Sequence, residues 1–181
     1  LFEPLGMRDT AFYVPQEKLS RLAQVHADAK AGGLEVDENR PDPTVVPLGP
    51  SGGGGLVSTA MDYARFTEML LNGGQLNGVR ILAPRTVEMM HTNYVNPEAL
   101  KTMGAGTGWS LGFQVVTDAA AAGSPESDGS YNWYGIAGTW FWIDPKEDFA
   151  FIGMLQNQNL GTARQIHGLS RNLVYQAIVG E

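Results

Sequence analysis

Two serines, Ser51 and Ser110, lie in the Gly-x-Ser-x-Gly pattern that can expose a nucleophile to an ester or amide carbonyl. The pattern requires a sharp turn between a strand and a helix. No strand is predicted before Ser51, and the residues after Ser110 favour a continuing strand. Asp144 and His167 nevertheless follow Ser110 in the Ser–Asp–His order of one type of hydrolytic triad. A triad built on Ser110 therefore stays an alternative.

Metal and phosphate chemistry have less support. The three histidines are His26, His91 and His167, and none has a histidine or carboxylate three or four residues further on that would complete a metal site. The sequence has no cysteine, which excludes disulfides, thiolate ligands and a cysteine nucleophile. The glycine run at residues 52–55 is not followed by the Lys-Ser/Thr of a phosphate-binding loop. We therefore expect no metal and no cofactor.

The segment at residues 131–139 is rich in aromatic residues and is interrupted by Gly135 and Gly138. Glycine within an otherwise strong strand indicates that another group approaches the backbone closely. Trp133 and Tyr134, beside these glycines, are suited to the wall of an apolar pocket for an acyl group. The alternative is that the aromatic side chains of this segment pack in the core.

Length and composition exclude several classes of protein. The chain has 181 residues, of which 43% are hydrophobic, and a net charge of −7. A chain of this length buries a core without disulfides, and its acidic balance argues against nucleic acid, whose binders usually carry a basic patch. It contains no run of about 18 apolar residues, the length that a membrane span requires. The sequence opens on an apolar run at Leu1 that lacks the pattern of a targeting segment, so the compartment is left open.

Apolar periodicity and capping residues predict four helices that position these groups. The clearest helix begins after Ser58 or Thr59, which suit an N-cap, and stops at the Asn-Gly-Gly of residues 72–74. The Asn-Gly pair at residues 77–78 then predicts a turn. The last carries Leu169 and Leu173 on one apolar face. The predicted helices run from Pro15 to Val25, from Ser58 or Thr59 to Leu71, from Pro84 to about His91, and from Thr162 to Ile178.

Beyond residue 104 the pattern favours strands. The short turn at residues 144–148 pairs the last two as an antiparallel hairpin, and the apolar run of the last strand suits a central place in a sheet. Residues 27–55 and 119–130 are predicted to be irregular. The order of elements indicates an α+β fold, an antiparallel sheet flanked by helices. The predicted strands are Trp109–Thr117, Tyr131–Ile143 and Phe149–Leu155.

Four segments carry a further pattern: Leu1–Thr10, Gly54–Phe66, Leu70–Gly74 and Gly138–Asp148. Together they resemble the serine β-lactamase-like hydrolases, which include class C β-lactamases, esterases and D-amino-acid peptidases. The segments occur in the family's order and span nearly the whole chain. The resemblance implies that residues 1–181 are the C-terminal part of a single β-lactamase/transpeptidase-like domain.

The family's nucleophile motif, Ser-x-x-Lys, and its Tyr-x-Asn/Ser motif precede the first of these segments, and no Ser-x-x-Lys occurs in this sequence. The resemblance implies a serine hydrolase that acts on esters or amides, β-lactams included, through an acyl-enzyme. Its catalytic Ser, Lys and Tyr would lie outside these residues, so we expect the chain alone to be inactive. Besides the small-molecule substrate, we expect the N-terminal half of the same enzyme or a second copy as partner, because an incomplete domain exposes apolar surface.

The family's third motif is Lys-Thr-Gly in β-lactamases and His-x-Gly or Trp-Gly-Gly in esterase-like members. Its match here is the triplet Trp133, Tyr134 and Gly135. The resemblance implies that this triplet and Gly54 contact the substrate, and that the backbone N–H of Ile136 donates to the oxyanion. Tryptophan in place of lysine disfavours a β-lactam carboxylate, which prefers a charged partner, and favours an apolar ester or amide.

Two alternatives remain. The chain would be a non-catalytic module that binds an apolar small molecule without turnover, or the C-terminal half of an α/β-hydrolase that uses Ser110.

Overall fold

The computed structural model describes residues 1–49, 51–101 and 103–179. The first half contains helix α1 (Phe2–Leu5), a 3-10 helix (Gln16–Arg21), strands β1 (His26–Asp28) and β2 (Leu34–Val36), helix α2 (Ala60–Leu71), strands β3 (Gln75–Leu76) and β4 (Val79–Arg80), and helix α3 (Pro84–Met90). The second half contains helix α4 (Pro97–Leu100), strands β5 (Thr107–Trp109) and β6 (Gln114–Val116), helix α5 (Ala119–Ala122), strands β7 (Tyr131–Tyr134), β8 (Trp140–Asp144) and β9 (Phe149–Gly153), and helix α6 (Leu160–Ala177).

Strands β5 to β9 form one five-stranded sheet in chain order. Each strand is antiparallel to the next, so every connection within the sheet is local. Helices pack on the sheet, as the expected α+β class requires. This confirms the predicted fold class, an antiparallel sheet flanked by helices.

Strand β8 is buried along its whole length. Successive side chains of a strand point to opposite faces. On one face Phe141 packs against Tyr63 of α2, with 5.1 Å between ring centroids. On the other face Trp140 stacks on His167 of α6 at 4.4 Å. The sheet therefore lies between α2 and α6.

A buried carboxylate fastens α6 to the sheet. Asp144, the last residue of β8, accepts a hydrogen bond from the Tyr175 hydroxyl at 2.6 Å and one from the Ser127 N–H at 3.0 Å. Burial by itself raises the pKa of this carboxyl, but the hydrogen bonds outweigh it and hold the pKa below its usual value. An ion pair at 3.1 Å between Arg171 of α6 and the buried Glu126 joins α6 to the loop that contains Ser127.

A second buried carboxylate, Asp62, joins the N-terminal segment to α2. It accepts hydrogen bonds from the Asp9 N–H at 2.6 Å and the Thr10 hydroxyl at 3.0 Å. The Arg65 guanidinium pairs with its other oxygen at 3.2 Å. Asp62 thus joins the first two segments of the family resemblance, together with a hydrogen bond at 2.8 Å between the Thr10 and Ser58 hydroxyls.

Several predicted elements are confirmed. Helix α2 begins after Thr59, whose hydroxyl accepts from the Asp62 N–H at 3.2 Å. Helix α3 begins at Pro84, as predicted. Asn77 and Gly78 form the turn between β3 and β4, and both have positive φ, 48° and 81°, which suits the tight hairpin turn that Asn-Gly predicts.

Other predicted elements are wrong. The single strand predicted at residues 131–143 is two antiparallel strands, β7 and β8, joined by a turn at residues 135–138. The single strand at residues 109–117 is a hairpin of β5 and β6, because Gly112 (φ 104°) forms a turn closed by the Ser110 N–H on the Phe113 carbonyl at 2.9 Å. In place of the helix predicted after Pro15 the structure has the short 3-10 helix Gln16–Arg21. None of its residues is buried, so no packing stabilises a longer α-helix there. The irregular stretches 27–55 and 119–130 contain the β1–β2 hairpin and α5.

The predicted central place of the last strand is also wrong, because β9 lies at the edge of the sheet within the described residues. Its apolar residues contact helices rather than a second strand. Phe149 meets Tyr175 of α6 at 5.4 Å, and Ile152 packs against the core that includes Met69 and Leu70 of α2.

The predicted apolar face of α6 points away from the sheet. Leu169 and Leu173 are 61% and 65% exposed. The face on the sheet instead carries His167 and Tyr175, because these side chains stack on and bond to β8. The N-cap is Asn159, whose side chain accepts from the N–H of residue 162 at 3.0 Å. Among the described residues, no helix is both long and apolar enough to cross a membrane.

Replacing Tyr175 by Phe tests the polar fastening of α6. A hydrogen bond to a charged group contributes about 1.5–3 kcal/mol, so we expect the free energy of unfolding in urea at pH 7 to fall by about that much. The pKa of Asp144 is depressed on folding, so this contribution is present above the unfolded value of 3.8 and is lost as pH falls through the folded pKa. The difference from wild type should therefore shrink in strong acid.

Tyr94→Phe, at an exposed tyrosine, serves as the control and should leave unfolding unchanged. A Tyr175→Phe variant as stable as wild type at pH 7 would show that the bond does not fasten α6.

Candidate active site

The connection between β7 and β8 is a tight turn at residues 135–138. The Gly138 N–H donates to the Gly135 carbonyl at 3.0 Å, and the Gly135 N–H donates to the Thr139 carbonyl at 2.7 Å. The two middle residues have negative φ and Gly138 has a φ of 90°. This is the hairpin connection in which a type I turn is followed by a left-handed glycine.

Both glycines of the turn are required by what lies against them. A Cβ at Gly135 would stand 2.6 Å from the Thr139 hydroxyl oxygen, and one at Gly138 would stand 3.1 Å from the Asn157 carbonyl oxygen. The sequence prediction of a close approach at these glycines is confirmed. The approaching groups belong to the protein itself.

Ile136 occupies the second position of the turn and is 67% exposed. Its N–H donates to no acceptor among the described residues. The turn hydrogen bonds explain this, because the two middle N–H groups of a β-turn lie outside the closing bond. An unpaired backbone donor therefore faces solvent beside β7.

The aromatic residues of β7 divide between core and surface. Tyr131 is buried against Phe113, whereas Trp133 is 38% exposed. Trp133 meets Trp109 edge-on at 4.5 Å and lies nearly parallel to Tyr134 at 4.8 Å. The expected core packing therefore holds for Tyr131, and a pocket wall at Trp133 and Tyr134 stays a prediction. We call Trp109, Trp133 and Tyr134 the aromatic surface. The sequence analysis did not predict Trp109 as part of this surface. Its contact with Trp133 arises from the pairing of β5, β6 and β7 in the sheet, which the sequence does not show.

Gly54 lies in an exposed loop, and a Cβ at this position would meet nothing within 4 Å. The loop is tied at its end to the N-terminal segment, where Val57 pairs with Ala11. No hydrogen bond between described residues joins Gly54 to the β7–β8 turn. Its contact with the substrate stays a prediction.

The triad alternative built on Ser110 is contradicted. The Ser110 hydroxyl donates to the Met90 carbonyl, in the turn between β5 and β6. Asp144 is engaged by Tyr175, and His167 Nε2 donates to the Gly138 carbonyl at 3.3 Å. Each of the three groups is bound elsewhere, and the strand–turn–helix around Ser110 is absent from this antiparallel sheet.

The other histidines and Ser51 form no catalytic arrangement in the described part of the chain. His91 stacks on Tyr131 at 5.2 Å, and burial lowers its pKa. Ser51 is exposed and accepts a bond from the Gly53 N–H at 3.2 Å. No three His, Asp or Glu side chains gather there in a way that would hold a metal ion.

Two surface cavities, of roughly 240 and 740 Å³, lie beside the N-terminal segment rather than beside β7. Asp9 and Arg21 line both. Lys18 and Arg21 each pair with Asp9 at 2.8 Å, which lowers the pKa of that carboxyl. Neither cavity is lined by Ile136 or by the aromatic surface.

Comparison with known proteins places this geometry in a family context. Protein Rv1367c and protein MT1414, from two strains of Mycobacterium tuberculosis, are each 36% identical to this chain over 163 residues. The match covers 85% of this chain but 41% of either relative. The chain thus spans less than half the length of these relatives.

Solved structures show the same proportion. EstCE1, a hydrolase with promiscuous acyltransferase activity, superposes with a TM-score of 0.80 at 26% identity, over 97% of this chain and 48% of that one. Simvastatin synthase (LovD) from Aspergillus terreus superposes with a TM-score of 0.79 at 22% identity, over 98% and 49%. At that identity the second match shows the fold alone.

The model of the β-lactamase family matches residues 1–176, nearly the whole chain. The Ile136 turn, the strand β7 that leads into it and the two helices that cover the sheet all lie within the match. This chain therefore belongs to the β-lactamase family.

Proposed function

We propose that this chain supplies the oxyanion donor and an acyl-pocket wall of a serine hydrolase that cleaves esters or amides through an acyl-enzyme. The unpaired, exposed N–H of Ile136 is the observation that carries the proposal. In this family such a donor stands where negative charge develops. The aromatic surface beside it supplies apolar area for the acyl group.

The proposed reaction has two steps. A serine oxygen attacks the substrate carbonyl, and the carbonyl oxygen becomes an oxyanion that the Ile136 N–H stabilises. The bond from the carbonyl carbon to the leaving group then breaks, the leaving alcohol or amine departs with the proton that the serine hydroxyl gave up, and the acyl group stays on the serine. Water then attacks the acyl-enzyme, which releases the acid and restores the serine.

The nucleophile comes from a segment outside these 181 residues. The sequence has no Ser-x-x-Lys, and the Ser110 hydroxyl is held by the Met90 and Phe113 carbonyls. The fact that the chain spans less than half of its relatives supports the same view.

An apolar acyl substrate fits this surface better than a β-lactam. The resemblance puts Trp133 where β-lactamases carry lysine, and an indole has no charge to pair with a carboxylate. EstCE1, a hydrolase with promiscuous acyltransferase activity, supports acyl transfer as the type of reaction. The alternative of a module that binds without turnover rests on the same aromatic surface, and the first test below separates the two.

The 181-residue chain by itself is expected to bind a p-nitrophenyl ester without hydrolysing it. Binding should change the tryptophan fluorescence, and Trp133→Ala should remove the change because Trp133 is the exposed ring of the aromatic surface. Release of p-nitrophenol measures turnover. Steady turnover that survives both Ser110→Ala and Ser51→Ala would contradict a nucleophile outside the chain.

A chimera tests the oxyanion donor directly. Residues 1–179 replace the matching half of EstCE1, and the product should hydrolyse p-nitrophenyl esters, whereas a pure binding module would give a folded but inactive chimera. Ile136→Pro removes the N–H at a turn position that proline suits. We expect kcat to fall by about 10²–10³ with little change in KM, because the oxyanion exists only beyond the ground state.

Ile136→Ala is the matched control, because it shortens the side chain and keeps the N–H. It is expected to lose far less activity than Ile136→Pro. Equal losses in the two variants would assign the effect to the side chain and overturn the role of the backbone donor.

A further inference from the structure

The turn that carries Ile136 is held from outside at two carbonyls. The Asn157 N–H donates to the Ala137 carbonyl at 2.8 Å. The His167 Nε2 donates to the Gly138 carbonyl at 3.3 Å. Among the described residues, His167 is the side chain that bonds to this turn, and it comes from α6, 29 residues further along the chain.

His167 is well fixed for such a contact. It is 6% exposed, and its ring stacks on Trp140 at 4.4 Å with 27° between the planes. Burial lowers the pKa of His167 and outweighs the hydrogen bond to Gly138, which raises it, and the nearby Arg171 and Arg164 act in the same direction as burial. The imidazole is therefore neutral at neutral pH. Since a carbonyl oxygen only accepts, the proton must be on Nε2.

The geometry of the peptide bond connects Gly138 to the oxyanion donor. The Gly138 N–H holds the Gly135 carbonyl at 3.0 Å. That carbonyl and the Ile136 N–H belong to one planar trans peptide, in which they point in opposite directions. The position of Gly138 therefore sets the direction in which the Ile136 N–H points.

We propose that His167 is a positioning residue for the oxyanion donor, which fixes the Gly138 carbonyl and thereby aims the Ile136 N–H. This inference rests on the proposed function for its effect on rate. In this role His167 acts without touching the substrate. Its action passes through Gly138 to the turn, so its loss misdirects the donor without removing it.

Two substitutions separate positioning from packing. His167→Phe keeps an aromatic ring against Trp140 and removes the N–H. His167→Gln loses the ring but places an amide N–H at a similar distance along the side chain. If the hydrogen bond is what matters, the phenylalanine variant is the defective one and glutamine rescues it. If only packing matters, the order is reversed.

In the EstCE1 chimera, His167→Phe is expected to lower kcat for a p-nitrophenyl ester by about tenfold to 10²-fold, the effect of a misplaced catalytic group. KM should stay within about twofold, because the oxyanion forms only in the reaction. His167→Gln should recover most of the lost kcat. Wild-type kcat in His167→Phe would overturn the proposal.

Nuclear magnetic resonance on the 181-residue chain tests the positioning role of His167 without measuring activity. The result therefore stands even if the chimera is inactive. The imidazole ¹⁵N shifts should show the Nε2–H tautomer at neutral pH. The amide resonances of Ile136 and Gly138 should move in His167→Phe and return towards wild type in His167→Gln. An Nδ1–H tautomer, or amide shifts that ignore His167→Phe, would contradict the positioning role even if the chimera is active.

Discussion

Strand β8 is buried on both faces, and the rest of the fold follows from the need to cover it. Full burial of a large apolar side chain contributes about 1.5–3 kcal/mol, so a strand with two tryptophans, a phenylalanine and an isoleucine is stable only between two layers. Helix α2 covers Phe141 and Ile143, and α6 covers Trp140 and Trp142. Asp144 ends the strand as a buried charge, and its hydrogen bonds then fix where α6 lies.

The candidate site is a consequence of this arrangement. The turn at residues 135–138 leads directly into β8, the most buried strand, so the sheet anchors the backbone of the turn on one side. On the other side it is anchored by α6 and by the segment that follows β9. A backbone N–H that is unpaired and yet held rigidly is what stabilisation of an oxyanion requires, because the donor then needs no reorganisation as charge develops.

The identity of one side chain bears on the choice of substrate. Trp133 shares an aromatic surface with Trp109 and Tyr134, and in the proposed function it stands where β-lactamases carry a lysine. A neutral, apolar wall favours burial of an acyl chain over capture of a carboxylate. Membership of the β-lactamase family therefore fixes the fold without fixing lactam chemistry.

Local patterns in the sequence predicted much of the architecture. Thr59, the Asn-Gly turn at residues 77–78 and Pro84 act through bonds and angles within a few residues, so their elements were found where predicted. The same reasoning failed for α6, where periodicity marked Leu169 and Leu173 as one apolar face and the structure leaves them exposed. It also failed for the strand at residues 109–117, where a left-handed Gly112 reverses the chain.

The fold class and the family could be recognised from the sequence, because the order of elements and motifs can be read along the chain. The tight glycine turn that offers Ile136 could not, because the residues favour one strand through 131–143 and the turn depends on how β7 and β8 pair. Only the tertiary structure decided that Ser110, Asp144 and His167 do not form a triad. It also decided that His167 bonds to the Gly138 carbonyl. The hydrogen bonds made by Ser110, Asp144 and His167 join residues that lie 17 to 31 positions apart in the sequence. They depend on how helices and loops pack against the sheet, and no local pattern encodes that packing.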